Sequence, residues 1–350
     1  MGYSTGIVAD RRYMNHDPGF GHPESPGRLA AVYDMLDEAY MKQRFVRIEP
    51  RKALVEELSR IHRHAYIDRV AATAGRMYSA LDFDTIASPD SYDAALLAAG
   101  GLMNAVDKVM EGAVRNAFAF VRPPGHHAET TSSGGFCIFN NVAVAAAHAR
   151  ERYGLGRVLI ADWDLHHGNG TQHSFYGDPG VLYFSTHQYP FYPGTGSAGE
   201  LGIGPGEGYT VNVPLQRGQG DAEYLKIFKK ILEPVATAYR PELVLVSAGF
   251  DICRGDALGG MDVTEQGFVN LTRVLMNIAD RWCGGRLVFT LEGGYNHSMM
   301  ARSARAMLLE MSGETLTGEA ELAEIMERAD KKTDTLVRKI SEQLRPFWPV

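Results

Sequence analysis

Residues 157–170 have the sequence RVLIADWDLHHGNG, in which a short apolar run ends abruptly in carboxylates and imidazoles. Such a run is typical of a strand that is buried on both faces of a parallel sheet. The stretches ELVLVSAGFD (242–251) and RLVFTLEGG (286–294) repeat the pattern, with polar or glycine residues after the apolar run. Ligands bind beyond the carboxyl ends of the strands in such sheets, so these polar ends are predicted to meet at one edge.

Helical and strand-like stretches alternate along the chain. Further strands are predicted at AFAFV (117–121), VLYFS (181–185) and YTVNVP (209–214), and helices at roughly 26–41, 90–112, 139–152, 220–239, 264–282 and 297–311. This alternation predicts an α/β fold in which helices flank a mostly parallel sheet. Because no linker or repeat interrupts the motifs, we predict one domain over residues 1–350, with a C-terminal surface helix from about 318.

The composition limits the class of protein. The net charge of −7 argues against a broad nucleic-acid surface, which needs a basic face to bind phosphates. The three cysteines form no CxxC pair, which excludes a disulfide framework and a thiolate zinc site and indicates a reducing compartment. No signal-peptide pattern and no apolar run of about 18 residues occur, so we expect a cytoplasmic protein without a membrane partner. The oligomeric state is left open.

The end of the first strand carries the strongest candidate for a metal site. Asp164 and His166 are two residues apart, so their side chains can point the same way, and Asp251 ends another predicted strand. Two carboxylates and an imidazole that leave coordination positions open are typical of a catalytic zinc site. Taken alone, Asp251 could equally cap the following helix. No structural need explains two aspartates and two histidines within DWDLHH.

Two other segments offer groups for proton transfer. His126 and His127 follow a predicted strand in RPPGHH, and imidazoles suit general acid and base catalysis near neutral pH. In LEGGYN, a glycine pair permits a sharp turn before Tyr295, whose phenol could donate a hydrogen bond to an oxyanion. Taken singly, the histidines could be surface residues and Tyr295 a packed aromatic. The GxGxxG match at 194–199 lacks a flanking strand and helix, so we reject dinucleotide binding.

Together, these segments resemble the histone deacetylase and acetylpolyamine amidohydrolase superfamily, in the style of class II deacetylases and their bacterial relatives. The matching stretches are HPESPGR, RPPGHHAE, GGFCIFNNVAVAA, DWDLHHGNGTQ, FYPGTG, LVLVSAGFD and LEGGYN, in the family's order. The resemblance implies the arginase/deacetylase fold, with a mostly parallel sheet of about eight strands. It also implies zinc-dependent hydrolysis of N-acyl amides, which releases acetate and a free amine.

The resemblance assigns roles to residues of this sequence. The zinc ligands would be Asp164, His166 and Asp251, although iron(II) could replace zinc. The catalytic groups would be His126, His127 and Tyr295, with Asp162 and Asn169 as the respective partners of the two histidines. The substrate-binding positions would be Gly135, Phe136 and Tyr192 in the tunnel wall, Leu258 at the mouth, and Arg28 near an internal acetate channel.

The resemblance also implies two structural potassium sites. The inner site would use Asp162, Asp164, His166, Ser185 and Thr186, partly through backbone carbonyls. The outer site would use Phe175, Asp178, Val181 and Tyr209.

The substrate is less sharply indicated than the chemistry. Polyamine-selective relatives carry an acidic residue where this chain has Leu258, so an acylated lysine of a protein or peptide is favoured. Acetylpolyamine deacetylation is the alternative, because Asp82, Asp84 or Asp90 could supply the acid. A catalytically inactive binding or scaffold protein is a second alternative, and it predicts a lost ligand or catalytic group. Every one of those groups is present in the sequence.

Overall fold

The computed structural model describes residues 4–350 and has a parallel sheet at its centre. Eight strands form this sheet: β1 (Thr5–Val8), β2 (Val46–Arg47), β5 (Asn116–Ala119), β6 (Val158–Asp162), β7 (Val181–Gln188), β8 (Thr210–Leu215), β9 (Leu243–Ala248) and β10 (Leu287–Leu291). Their order is β2-β1-β5-β10-β9-β6-β7-β8, and every neighbouring pair is parallel. A separate antiparallel pair comprises β3 (Ser79–Ala80) and β4 (Ile86–Ala87). The predicted α/β sheet is confirmed.

Helices flank the sheet and contact one another across its length. They are α1 (Gly27–Asp37), α2 (Val55–Leu58), α3 (His64–Ala71), α4 (Ser91–Met110), α5 (Asn141–Tyr153), α6 (Asn169–Phe175), α7 (Asp221–Ile227), α8 (Glu233–Tyr239), α9 (Glu265–Cys283), α10 (His297–Met311), α11 (Glu319–Met326) and α12 (Lys331–Leu344). Polar side chains begin several of them: Asn140 accepts a hydrogen bond from the backbone N–H of Ala143 at the start of α5, and Thr264 does the same for Gly267 at the start of α9. Across residues 4–350, no helix is both long and apolar enough to cross a membrane.

Several elements differ from the sequence-based expectation. The stretch 220–239 is not one regular helix, because a π-helical turn (Phe228–Leu232) joins α7 to α8. The tail beyond 318 forms two helices, and Asp330 caps the second through the N–H of Thr333. This tail also contributes buried residues to the core, including Leu322, Ile340 and Trp348. Residues 1–3 of the predicted domain lie outside the described part.

Four adjacent strands bring the candidate motifs together. In the order β5-β10-β9-β6, all four strands are fully buried and run in the same direction. Their carboxyl ends lead into RPPGHH, EGGY, GFD and WDLHH, respectively. Beside these ends lies an aromatic cluster in which the ring of Phe289 is 5.4 Å from that of Phe118 and 5.7 Å from that of Trp163. The strand order therefore places four distant segments at one edge of the sheet.

Candidate active site

Asp164, His166 and Asp251 converge on one point, as the sequence predicts for a metal site. Nδ1 of His166 lies 3.2 Å from Oδ1 of Asp164 and 3.1 Å from Oδ2 of Asp251. Backbone groups hold the remaining carboxylate oxygens, since the N–H of Gly293 donates to Oδ2 of Asp164 (2.7 Å) and that of Leu165 to Oδ1 of Asp251 (2.9 Å). The three potential ligand atoms lie within 4.8 Å of one another. This donor set fits a divalent ion such as zinc.

The charges of these groups also favour a cation. Asp164 and Asp251 are fully buried, and a buried pair of carboxylates is unfavourable without a compensating positive charge. Burial and the neighbouring Asp164 carboxylate raise the pKa of Asp251 to about 7. Without a metal ion, burial disfavours the imidazolium of His166, but its hydrogen bonds to Asp164 and Asp251 outweigh that effect and raise the pKa of His166 to about 9.

Glycines at the strand ends make room for the two carboxylates. A Cβ atom on Gly293 would lie 2.2 Å from Oδ2 of Asp251 and 2.6 Å from Oδ2 of Asp164. A Cβ atom on Gly249 would lie 2.1 Å from Oδ2 of Asp164. None of these three distances is compatible with a side chain, so both positions require glycine for close packing rather than for a turn.

His126 lies between two carboxylates. Its Nδ1 is 3.1 Å from Oδ2 of Asp162, and its Nε2 is 3.8 Å from Oδ1 of Asp164. Burial disfavours the charged imidazolium, but the carboxylates of Asp162 and Asp164 outweigh that effect and raise the pKa of His126 to about 10. His126 is therefore protonated near neutral pH in this arrangement.

The pKa of His127 is shifted in the opposite direction to that of His126. Burial, together with the neighbouring His126, lowers the pKa of His127 well below its ordinary value. Its Nδ1 lies 2.8 Å from Oδ1 of Asn169, whose amide Nδ2 donates to Glu129 at 2.6 Å. Because Glu129 fixes which end of the Asn169 amide faces the ring, Nδ1 of His127 is the donor and Nε2 is left with a free lone pair. His127 is thus arranged as a base.

Tyr295 completes the floor of the site. The backbone N–H groups of Tyr295 and Asn296 both donate to Oδ2 of Asp256, at 2.7 and 3.0 Å. Oδ1 of Asp256 accepts the N–H of Leu258 (2.9 Å), so one carboxylate holds both the tyrosine and a residue of the pocket lining. Burial raises the pKa of Tyr295 well above its ordinary value, so the phenol keeps its proton and can donate it in a hydrogen bond.

These groups line a pocket of about 130 Å³. Its lining comprises Asp84, Pro124, His126, His127, Gly135, Phe136, Asp164, His166, Tyr192, Leu258, Gly293 and Tyr295. The ring of Tyr192 stands edge-on to His127 at 5.1 Å, and that of Phe136 edge-on to Tyr295 at 6.2 Å. The predicted tunnel residues Gly135, Phe136 and Tyr192 therefore line the same pocket as the two histidines and Tyr295.

Arg28 does not line this pocket. Its guanidinium lies 5.1 Å from the ring centroid of Tyr295 and donates to the carbonyls of Glu292 and Gly294, the latter at 2.7 Å. A third contact pairs it with the carboxylate of Glu24 at 3.1 Å. These contacts show that Arg28 holds the tyrosine segment from outside the pocket lining. A role beside an internal acetate channel stays a prediction.

The three acids proposed as polyamine partners are in different places. Asp84 lines the pocket, where its Oδ1 accepts the backbone N–H of Gly135 at 3.0 Å. Asp82 is near that wall, since one of its oxygens would be 3.5 Å from a Cβ atom on Gly134. Asp90 lines a different cavity with Arg12 and Lys52. Only Asp84 is therefore in position to meet a substrate inside the pocket.

The potassium sites stay predictions, although parts of the inner one have suitable surroundings. Asp162 pairs in register with Ser185 across β6 and β7, and the buried hydroxyl of Thr186 has no hydrogen-bond partner within residues 4–350. At the outer site, Asp178 already pairs with the guanidinium of Arg150 and accepts the N–H of Gly180 at 2.8 Å. The carbonyls of Phe175 and Tyr209 accept hydrogen bonds of 2.9 Å from backbone N–H groups of Asp178 and Tyr183, and Val181 donates its own N–H to the Asp178 carbonyl.

Three site residues were missed by the sequence analysis. Glu129 orients Asn169, Asp256 holds Tyr295, and Glu292 accepts the backbone N–H groups of Gly125 and His126. Asp256 and Glu292 lie within short glycine-rich segments, GDALGG and LEGG, and the glycines around them were the available signal. Nothing in the local sequence connects Glu129 to Asn169, since 40 residues separate them.

Comparisons with known proteins agree with this geometry. The profile of the histone deacetylase domain matches residues 22–311. The chain is 42% identical to a probable deacetylase of Archaeoglobus fulgidus over 83% of this chain and 81% of that protein. It is 41% identical to histone deacetylase 15 of Arabidopsis thaliana and 45% identical to polyamine deacetylase HDAC10 of Homo sapiens, over 99% and 80% of this chain. It spans 63% and 43% of those two proteins, respectively.

A solved structure is similar over almost the whole chain. The crystal structure of the HDA15 HD domain superposes with a TM-score of 0.91 at 39% sequence identity, covering 99% of this chain and 96% of that one. At this identity and coverage, the similarity extends to the strand ends that carry the site as well as to the sheet.

Replacing Gly293 by alanine is expected to damage the metal site without unfolding the protein. The new methyl group would displace the carboxylates of Asp164 and Asp251, so bound divalent metal per chain should fall sharply when measured by elemental analysis. Gly199→Ala is the matched control, because no atom lies within 4 Å of its added methyl group. Equal metal content in the two variants would contradict the assigned metal site.

Proposed function

The chain belongs to the histone deacetylase family, and from this premise we propose that it is a zinc-dependent hydrolase that removes acetyl groups from acylated lysine side chains of proteins or peptides. The observation that carries the proposal is the convergence of Asp164, His166 and Asp251 at the base of a narrow pocket, beside two histidines and a phenol. The proposal includes structural potassium and a cytoplasmic location, and iron(II) could take the place of zinc.

The divalent ion supplies one part of the chemistry. Held by Asp164, His166 and Asp251, zinc would act as a Lewis acid that polarises the amide carbonyl and lowers the pKa of a water. Two carboxylate ligands make the ion a weaker acid than three imidazoles would, so a separate base is needed to take the proton of the water.

The side chains of this protein supply the remainder. His127, neutral and with Nε2 free, takes a proton from the water as its oxygen attacks the carbonyl carbon. The phenol of Tyr295 donates a hydrogen bond to the oxygen on which negative charge develops. When the C–N bond breaks, the leaving amine takes a proton from a histidine, and His126, whose Nδ1 lies 3.1 Å from Oδ2 of Asp162, is placed to supply it. Acetate and the free amine are the products.

The pocket wall favours a linear acylated side chain. Phe136 and Tyr192 enclose the pocket, and Leu258 places an apolar group at its mouth. These surfaces suit the methylene stem of a lysine, whose burial is favourable only against apolar groups. An inactive scaffold is disfavoured because every predicted ligand and catalytic group is present and these groups converge around one pocket.

Acetylpolyamine is the second candidate substrate. The specific observation in its favour is Asp84 in the pocket wall, whose carboxylate could meet a second cationic amine. The 45% identity to a protein described as a polyamine deacetylase points the same way. Asp84 also holds the N–H of Gly135, and this contact gives it a structural role that needs no cation.

The substrate prediction is tested by parallel turnover of an acetyl-lysine peptide and N-acetylputrescine with the metal-loaded enzyme. We expect the larger kcat/KM for the peptide. Asp84→Asn should leave peptide turnover largely intact, and a preference for N-acetylputrescine that disappears in this variant would instead support the polyamine assignment.

Tyr295→Phe is expected to retain metal and to lose turnover. Loss of one oxyanion donor typically lowers kcat on the order of 10²–10³-fold. Tyr192→Phe is the matched control, because it removes one hydroxyl from the same pocket without touching the oxyanion position. Near-wild-type kcat in Tyr295→Phe would refute the role given to the phenol.

A charge placed beside His127 should move the acid limb of the pH–rate profile. In the double variant Asn169→Asp with Glu129→Gln, a carboxylate faces Nδ1 while the hydrogen bond to residue 129 is kept. The carboxylate stabilises the imidazolium and raises the pKa of His127, so the neutral base forms only at higher pH. The acid limb of kcat/KM should shift upward relative to the Glu129→Gln single variant; an unchanged limb would argue against His127 as the base.

A further inference from the structure

Glu292 is a buried acid that the mechanism above does not use. It is fully buried, and no lysine or arginine side chain within residues 4–350 forms an ion pair with it. Its Oε2 accepts the backbone N–H groups of Gly125 (2.7 Å) and His126 (3.2 Å), and its Oε1 accepts the hydroxyl of Ser247 (3.0 Å). One carboxylate therefore connects the ends of β10 and β9 to the loop that carries both histidines.

Burial makes this location unfavourable for an ionised carboxylate. Burial raises the pKa of Glu292 to about 7, while the nearby His126 and the N–H of Gly125 lower it and offset part of that rise. A ligand nitrogen of His126 lies within 4.8 Å of a Glu292 oxygen. The carboxylate of Glu292 thus lies beside the imidazole ring of His126, on the same loop as the peptide that it holds.

A second metal site does not explain this arrangement. His126, Cys137 and Glu292 lie close enough to bind an ion. However, Nδ1 of His126 is bonded to Asp162, and both oxygens of Glu292 already accept hydrogen bonds. Burial also raises the pKa of Cys137 well above its ordinary value, and its thiol contacts the carbonyl of Gly135 at 3.4 Å. A thiol in this state is a poor ligand.

We propose that Glu292 is a positioning residue for His126, holding the Gly125–His126 peptide in place and setting a negative charge beside the imidazole ring. The inference rests on the proposed deacetylase function. Tyr295 lies three residues beyond Glu292, and Arg28 holds the carbonyls of this same segment. The oxyanion donor and the histidine loop are therefore fixed relative to each other through a single carboxylate.

Glu292→Gln separates the charge of this residue from its hydrogen bonds. A glutamine oxygen can still accept from Gly125 and His126, and its amide can donate to the hydroxyl oxygen of Ser247, so only the charge is lost. We expect metal content and KM to stay within about twofold of wild type. The value of kcat should fall by ~10- to 100-fold, the range typical of a misplaced catalytic group.

Two further variants make the test specific. Ser247→Ala removes the partner of Oε1 but leaves the charge, so its kcat should stay near the wild-type value. Glu292→Asp keeps the charge on a shorter side chain, and its kcat should lie between those of wild type and Glu292→Gln. Metal content, KM and kcat are measured for all three variants with the substrate that the wild type turns over faster.

The possible results separate this inference from the proposed function. A metal-loaded Glu292→Gln enzyme with wild-type kcat would overturn the role of Glu292 while leaving deacetylation standing. Loss of metal and of thermal stability in both Glu292→Gln and Glu292→Asp would also overturn it, because the acid would then serve only packing. A metal-loaded wild type that is inactive on both acetyl-lysine peptide and N-acetylputrescine would instead defeat the proposed function itself.

Discussion

Asp164 and Asp251 lie side by side in the interior, and each directs one oxygen at the same imidazole nitrogen of His166. Their mutual repulsion in a water-poor site is large, since the interior screens charge far less than water does. The surrounding structure holds them there with backbone N–H groups and with glycines that leave space for the oxygens. A bound cation offsets that repulsion, so metal binding stabilises the folded form of this edge of the sheet.

The charges of the two histidines follow from the same carboxylates. His126 is near Asp162 and Asp164 and stays protonated, whereas the neighbouring positive charge and burial keep His127 neutral. Adjacent imidazoles thereby acquire different proton affinities without any difference in residue type. Acid and base catalysis at one pH requires two groups whose pKa values differ, as those of this pair do.

The sequence was most informative where burial dictates the residue type. Strands β5, β6, β9 and β10 are covered on both faces, so they are apolar runs that end where ligands begin. Strand β2 could not be found this way, because its two residues are exposed and carry no pattern. Helix α6 lacks an apolar period, since residues such as Asn169 and Gln172 hold histidines instead of packing in a core. The metal ligands, histidines and tyrosine could be predicted because they follow strands.

Residues that act through backbone groups were harder to predict. Glu292 and Asp256 hold N–H groups of distant segments, and no spacing rule relates a side chain to a peptide that the fold brings near it. Arg28 likewise holds backbone carbonyls, those of Glu292 and Gly294, and its motif HPESPGR does not reveal these contacts. Contacts of this kind depend on tertiary structure alone.

The strand ends and the pocket mouth have separate structural origins. The base of the pocket is fixed by the register of four parallel strands, in which a slip of one residue would turn every side chain to the opposite face. Other parts of the lining, towards the mouth, come from loops outside the sheet, including the segments that carry Asp84, Tyr192 and Leu258. Changes in those loops could alter which amine is admitted while the reacting groups keep their positions. Proteins that share this sheet can therefore come to differ in substrate selectivity through changes in single loops.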